Sequence, residues 1–255
     1  MRGDDLHRRL HEALTGGVEE IAALLSDRSP EVLQALLKNP ALEESHLFRL
    51  LRRRDLTEDV LQRAATLQGV QRSSALRKLL AAHPRTPARV LTPLLADLGL
   101  FEVADVCAAP GISPDQKAAA ERALVQRLPG TPLGSRLALA RRGTEGVLDA
   151  LLAEGDPQVV AVCLDNPRLR ESALLRFLAG PSSTPETISA AARHPRWKNR
   201  PPVLLGVLGN SRTPLVWFHL HLPRVPGPNL RELLARRLSP QQRELVREEL
   251  QRRSG

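Results

Sequence analysis

Two stretches of this 255-residue chain carry basic side chains and no carboxylate. Between Val60 and Ala96 stand Arg63, Arg72, Arg77, Lys78, Arg85 and Arg89, without one Asp or Glu. Between Thr187 and Arg231 stand Arg193, Arg196, Lys198, Arg200, Arg212, Arg224 and Arg231, again with none. Unneutralised guanidinium and ammonium groups attract phosphates and carboxylates. A paired stripe of this kind could track a nucleic-acid backbone or an acidic protein surface. The alternative is a solvated basic face with no ligand. The whole chain leans the same way, at a formal +9, yet only four of its 37 cationic residues are Lys. Arg with Ala, Leu, Pro and Gly is also the usage of a high-GC genome, which by itself would give a basic balance.

Trp197, Trp217 and Phe218 fall in the second stretch. Rings beside Arg can stack bases or grip a peptide, and they also fill gaps in a core. Trp217 and Phe218 read as core. Trp197, between Arg196 and Lys198, reads either way. The candidate contact set is therefore the six cations of the first stretch with Arg193, Arg196, Trp197, Lys198, Arg200 and Arg212 of the second.

Little else suggests chemistry. His219 and His221 are two residues apart and so face different sides of a helix, with no Cys or Asp beside them to complete a zinc site. His83 and His194 precede prolines and read as turn residues. Cys107 and Cys163 are far apart in apolar helical contexts and form neither a disulfide framework nor a metal pair. There is no phosphate-binding loop, dinucleotide fingerprint, zincin helix or nucleophile elbow. Glu19-Glu20 and Glu43-Glu44 read as solvated helix faces. No catalytic, cofactor-binding or metal residue is assigned, and no cofactor or small-molecule substrate is expected. The opening Met1-Arg-Gly-Asp-Asp-Leu-His-Arg-Arg leads into no apolar segment, and runs such as Val203 to Leu208 are too short to span a bilayer. A reduced, cytoplasmic setting without membrane insertion is the expectation.

The elements that must position these residues are helices. Aromatics are 2% of residues, Tyr is absent, and Leu, Ala and Arg dominate, which disfavours a large sheet and suits helix. Seven hydroxyl-proline pairs open helix-periodic segments: Ser29-Pro30, Thr86-Pro87, Ser113-Pro114, Thr131-Pro132, Thr184-Pro185, Thr213-Pro214 and Ser239-Pro240. The hydroxyl can accept from an orphan amide of the first turn, and proline there loses no bond. Asn39-Pro40, His83-Pro84, Asn166-Pro167 and His194-Pro195 mark stops. Arg52-Arg53-Arg54, Arg141-Arg142 and Arg236-Arg237 close segments, where cations meet the negative end of the helix dipole, and Gly143 follows one pair as a C-cap. The punctuation implies about eighteen helices joined by short turns.

The chain also matches itself at an offset of about 127 residues. Asn39-Pro-Ala-Leu-Glu-Glu-Ser-His-Leu-Phe-Arg-Leu-Leu51 falls on Asn166-Pro-Arg-Leu-Arg-Glu-Ser-Ala-Leu-Leu-Arg-Phe-Leu178, with eight of thirteen positions identical. Leu6, Arg9, Leu10, Ala13 and Gly16 fall on Leu133, Arg136, Leu137, Ala140 and Gly143. Arg85-Thr86-Pro87 falls on Arg212-Thr213-Pro214, and with one deletion Ser113-Pro114 falls on Ser239-Pro240. Two halves result, 1–127 and 128–255, the second ending in a charged helix from Ser239 to Arg253 that reads as a cap. Register wanders between residues 52 and 80.

His83-Pro-Arg-Thr-Pro-Ala-Arg-Val-Leu and Gly155-Asp-Pro-Gln-Val-Val-Ala-Val-Cys-Leu-Asp-Asn-Pro167 resemble the bacterial leucine-rich-repeat-variant and HEAT-like repeats. There an Asp-Pro helix runs into an Asn-Pro or His-Pro turn and then a Thr-Pro helix. The resemblance covers most of the chain and is weakest around 96–130. It implies an all-α, right-handed α-solenoid of stacked helical hairpins, here built as a tandem duplication, with a macromolecule-binding role and no catalytic residues. The expected function is a non-catalytic scaffold that binds a protein or another anionic macromolecule. The alternative is a nucleic-acid-binding module. A DNA-base glycosylase stands third, since it would need a carboxylate from outside the second stretch, such as Asp165 or Glu186.

Overall fold

The computed structural model of the chain describes residues 2–254. It is helical, and among the described residues there is no strand. The chain divides into two compact units, Met1–Arg127 and Leu128–Gly255. The first holds α1 (Arg2–Thr15), α2 (Val18–Leu24), α3 (Pro30–Leu36), α4 (Glu44–Leu51), α5 (Glu58–Ala65), α6 (Gln68–Arg72), α7 (Ser74–Ala81), α8 (Ala88–Asp97), α9 (Leu100–Cys107) and α10 (Pro114–Val125). The second holds α11 (Leu133–Arg142), α12 (Glu145–Glu154), α13 (Pro157–Asp165), α14 (Glu171–Ala179), α15 (Pro185–Arg193), α16 (Pro201–Leu208), α17 (Leu215–His221), α18 (Gly227–Leu234) and α19 (Pro240–Ser254). Among the described residues nineteen helices stand against the eighteen or so expected; the short α6 carries no start or stop signal of its own.

Within each unit most packing joins helices one or two places apart in chain order, with α4 also packing on α7. In the first unit α1, α3, α5, α7 and α9 follow one another in contact. In the second, α11, α13 and α15 form one row, α12, α14, α16 and α18 the other, and α19 closes on α17 and α18. The core is a thin seam of Leu, Val and Ala. In α13 the buried positions are Val159, Val160, Cys163 and Leu164, the i, i+1, i+4, i+5 stripe of an amphipathic helix. Burial pushes the thiols of Cys107 and Cys163 up to about 12, so both are inert, protonated core residues.

Five of the seven hydroxyl-proline pairs work in two ways, while Ser29 caps α3 without a side-chain bond to its first-turn amides. Ser113, Thr184 and Ser239 accept from the amides of Gln116, Thr187 and Gln242 at 3.1, 3.3 and 3.2 Å, as expected of N-caps. In return the Ser113 and Ser239 amides donate to Oε1 of Gln116 and Gln242, completing capping boxes. At Thr86-Pro87 and Thr213-Pro214 the proline itself is the cap, and the buried threonine instead donates backwards, to Leu80 O at 2.6 Å and Val207 O at 2.5 Å. Those two hydroxyls seal the end of the preceding helix rather than the start of the next. Gly143 occupies its C-cap position with extended rather than left-handed backbone. Its need for glycine is steric, since a Cβ there would lie 2.8 Å from Leu139 O.

The turns are held by side chains that reach back along the chain to orphan carbonyls. Asn39 donates to Ala13 O and Gly16 O, and Arg53 to Leu25 O and Asp27 O. The His83 ring pairs with Arg53 O at 2.7 Å. Gln116 donates to His83 O and Thr86 O, and Arg127 to the carbonyls of Leu95, Ala96 and Leu98. The second unit makes the same bonds at matching places. Asn166 donates to Ala140 O, Gln242 to Asn210 O and Thr213 O, and Arg253 to the carbonyls of Leu222, Pro223 and Val225. Left without such donors, buried carbonyls would each cost about 1–3 kcal/mol.

Candidate anion-binding groove

Of the twelve sequence candidates, the eleven cations separate into committed and uncommitted ones. In the first unit Arg77 donates to Gln71 O, Lys78 pairs with Asp105 at 3.2 Å, and Arg89 donates to Gln62 Oε1 at 2.5 Å. Arg63, Arg72 and Arg85 are exposed, and their side chains make no hydrogen bond or ion pair within the described residues. They are not gathered in one cleft. Arg63 alone lines a shallow one, with Gln34, Lys38, Gln62, Thr66 and the carboxylate of Asp59.

In the second unit the split is sharper. Arg196 donates to Asn166 O, Pro167 O and Leu169 O at 2.7, 3.2 and 2.8 Å. Its guanidinium lies 4.3 Å from the centroid of Trp197, with Arg200 at 5.1 Å. Trp197 is 0% exposed, and its indole N–H donates to Leu164 O at 3.0 Å. The ring whose role the sequence left open is thus a core pillar capped by two arginines. Arg200 also pairs with Glu171 at 3.0 Å, and Arg212 donates to Pro181 O and Ser183 O. Arg193 and Lys198 are exposed and uncommitted.

Those two free cations line a cleft of about 630 Å³ with Arg224, a third exposed side chain that has no partner among the described residues. Arg193 ends α15, Lys198 follows the His194-Pro195 turn, and Arg224 ends the single 3-10 turn after α17. The floor is α16, through Pro201, Leu204 and Leu205; the far wall is Trp217, Leu220 and His221 of α17. Trp217 and His221 stack, and the Trp217 indole donates to Ser189 Oγ at 2.9 Å. Leu220 is 52% exposed and Val216, one turn earlier on the same helix, 61%. A second cleft, of about 1120 Å³, adjoins the first across Pro201, Leu205 and Asn229 and runs along α14, α16 and α18 past Arg212, Arg236 and Arg237. No residue lining either cleft is an Asp or Glu.

His221 is the one lining side chain that titrates near neutrality, and burial, helped by Arg224, holds its imidazole below the usual histidine range. It has no serine, cysteine or carboxylate partner among the lining residues of its cleft. No protein-family model, curated protein or solved structure matches the chain. Function must therefore be argued from the site itself. Among the described residues no group of three or more His, Cys, Asp or Glu could hold a metal ion, and no helix is long and apolar enough to cross a membrane.

Of the sequence candidates, Arg193, Lys198 and Arg212 are brought to the groove. Sequence reasoning missed Leu220 and Asn229, and named His221, Arg224 and Arg237 without selecting them. For all but Arg237 the available signal was the length of the acid-free run, which extends past Arg224 to Arg231.

Proposed function

We propose that this protein is a non-catalytic α-solenoid, two copies of one helical-hairpin array, that binds an acidic protein segment along the groove of its second unit. The observation that carries the reading is the complete absence of carboxylates from the lining of two adjoining clefts that hold exposed, unpaired cations. A surface with only one sign of charge raises the local concentration of the other and speeds encounter. The solenoid reading draws support from the rows α1, α3, α5, α7, α9 in the first unit and α12, α14, α16, α18 in the second, in which alternate helices stack on one another. Matched side-chain bonds of Asn39 and Asn166, Gln116 and Gln242, and Arg127 and Arg253 support the duplication. Buried, unpaired thiols suit a reducing cytoplasm.

An acidic protein is preferred to nucleic acid because the cleft floor and walls are mostly apolar: Leu204, Leu205, Leu220, Val225 and two prolines. A phosphate backbone would leave that surface uncovered. The test is titration with poly-glutamate, poly-lysine and duplex DNA at two salt concentrations. Poly-glutamate is expected to bind, to weaken with salt, and to lose at least about tenfold in affinity when Lys198 and Arg224 are both changed to Glu, a loss of about 1.4 kcal/mol. Charge reversal at Arg63 and Arg72 is expected to leave that binding unchanged. Duplex DNA binding more tightly than poly-glutamate, with the same sensitivity to Lys198 and Arg224, would transfer the assignment to nucleic acid.

A further inference from the structure

The first cleft divides its chemistry between rim and interior. Its charges, Arg193, Lys198 and Arg224, are on exposed side chains. Its interior surface is Leu204, Leu205, Val225 and the edge of Trp217, itself only 8% exposed. The Trp217 indole N–H is already spent on Ser189, so that ring offers an entering group no donor, only contact. Leu220, 52% exposed, adds an apolar lip. The adjoining cleft is poorer in free charge. Arg212 is occupied by the Pro181 and Ser183 carbonyls and Arg236 by Glu232, which leaves Arg237. Its larger volume therefore attracts acidic chain without fixing it, while the first cleft has both a pocket and a charged rim.

Resting on the groove reading above, we infer that the cleft between α15 and α17 is an anchor pocket. It takes a bulky apolar side chain of an acidic peptide against Trp217 and Leu220, and sets the flanking carboxylates on Arg193, Lys198 and Arg224. The pocket lies within the volume range of sites that enclose small ligands, so it holds one or two side chains and not a folded surface. Recognition by an apolar anchor inside a charged rim gives affinity at the centre and orientation at the edge. The peptide continues across Pro201 and Leu205 toward Arg237.

Three short peptides test this against the full-length protein: an Asp/Glu-rich peptide with a central Phe-Leu pair, the same peptide with Ser-Ser at the centre, and Phe-Leu flanked by lysines. Affinity is read by calorimetry and insertion by tryptophan emission, since Trp197 and Trp217 are the chain's two tryptophans. The acidic Phe-Leu peptide is expected to bind at least about tenfold more tightly than its serine twin, from the apolar area it buries. It alone is expected to shift the emission, and Trp217→Phe is expected to abolish that shift. Leu220→Ser, at an exposed position that leaves the fold intact, weakens the Phe-Leu peptide and not the serine twin. The lysine-flanked peptide is expected not to bind. Equal affinity for the two acidic peptides would overturn the anchor and leave the acidic-partner reading standing. Binding of neither would overturn both. An emission shift that survives Trp217→Phe would place insertion elsewhere and overturn the assignment to this cleft.

Discussion

Trp217 and His221, one turn apart on α17, lie with ring centroids 5.6 Å apart and planes within 10° of parallel. Stacking on the indole buries the imidazole, and the Arg224 guanidinium faces it, so the neutral ring is the favoured form. In the first unit, burial likewise lowers His83, and the arginines at 54 and 85 add to the effect, against the opposing bond to Arg53 O.

Both depressed histidines make stability depend on pH in a defined direction. Unfolded histidine titrates near 6.5, and the folded rings titrate lower. Between those values the unfolded chain holds protons that the folded chain does not, so unfolding gains as pH falls through about 6.5. The melting temperature is expected to be level above that pH and to fall below it, and His221→Gln should remove part of the fall. The depressed carboxylates titrate in a separate, lower window: Asp55 is held by the bond from Arg53 and Glu102 by the Gly99 amide. A melting temperature that does not change between pH 7 and 5 would contradict the assignment.

Arg196 and Arg193 look alike in sequence and should behave oppositely. Arg196→Ala strips the donors from three carbonyls and uncovers Trp197, at an expected cost of about 2–4 kcal/mol in urea unfolding. Arg193→Ala removes an exposed, uncommitted charge and should stay within about 0.5 kcal/mol. Its effect should appear in binding to acidic ligands, with the unfolding midpoint unchanged.

Gly155 ends α12 at φ +75°, and a Cβ there would lie 2.4 Å from Ser182 O. Gly155→Ala is expected to cost about 1–3 kcal/mol or more, from backbone strain and the clash together. Gly134, inside α11 with nothing within 4 Å of a Cβ, is the control. Alanine there should be neutral or stabilising by up to about 1 kcal/mol. Thermal melts of the two variants would show the contrast.

The all-helical class was legible in the sequence because its causes are local. Leu and Ala at helical spacing, and a hydroxyl before proline, act within one turn, and Ser113, Thr184 and Ser239 cap as their spacing implies. Which cations are free was not legible. Arg196 and Lys198 are neighbours of like charge, yet one is consumed by carbonyls 27 to 30 residues upstream and the other is free. Charge pattern does not show where orphan carbonyls will sit after folding. The same limit hid the role of Trp197, whose acceptor is 33 residues away. Thr86 and Thr213 reversed their expected bonds because proline took the cap position and left the hydroxyl facing the helix behind it. The Leu220 lip departs from the buried stripe of its own helix, and periodicity alone does not say which apolar residue is left over.

Arg54 reaches forward to Pro110, whereas Asn39, Arg53, His83, Gln116, Arg127, Asn166, Arg196, Arg212, Gln242 and Arg253 bond carbonyls that lie earlier in the chain. Each of those turns is therefore finished by residues synthesised roughly thirty positions after it. A nascent chain emerging from the ribosome always carries one open turn at its growing edge, and closes it when the next segment arrives. Trimming from the beginning discards carbonyls that later segments can forgo; trimming from the end strips donors from turns that remain. Loss of a segment thus acts unequally on its neighbours: the turn before it loses donors, as Leu222 to Val225 would without Arg253, while the segment after it loses only acceptors.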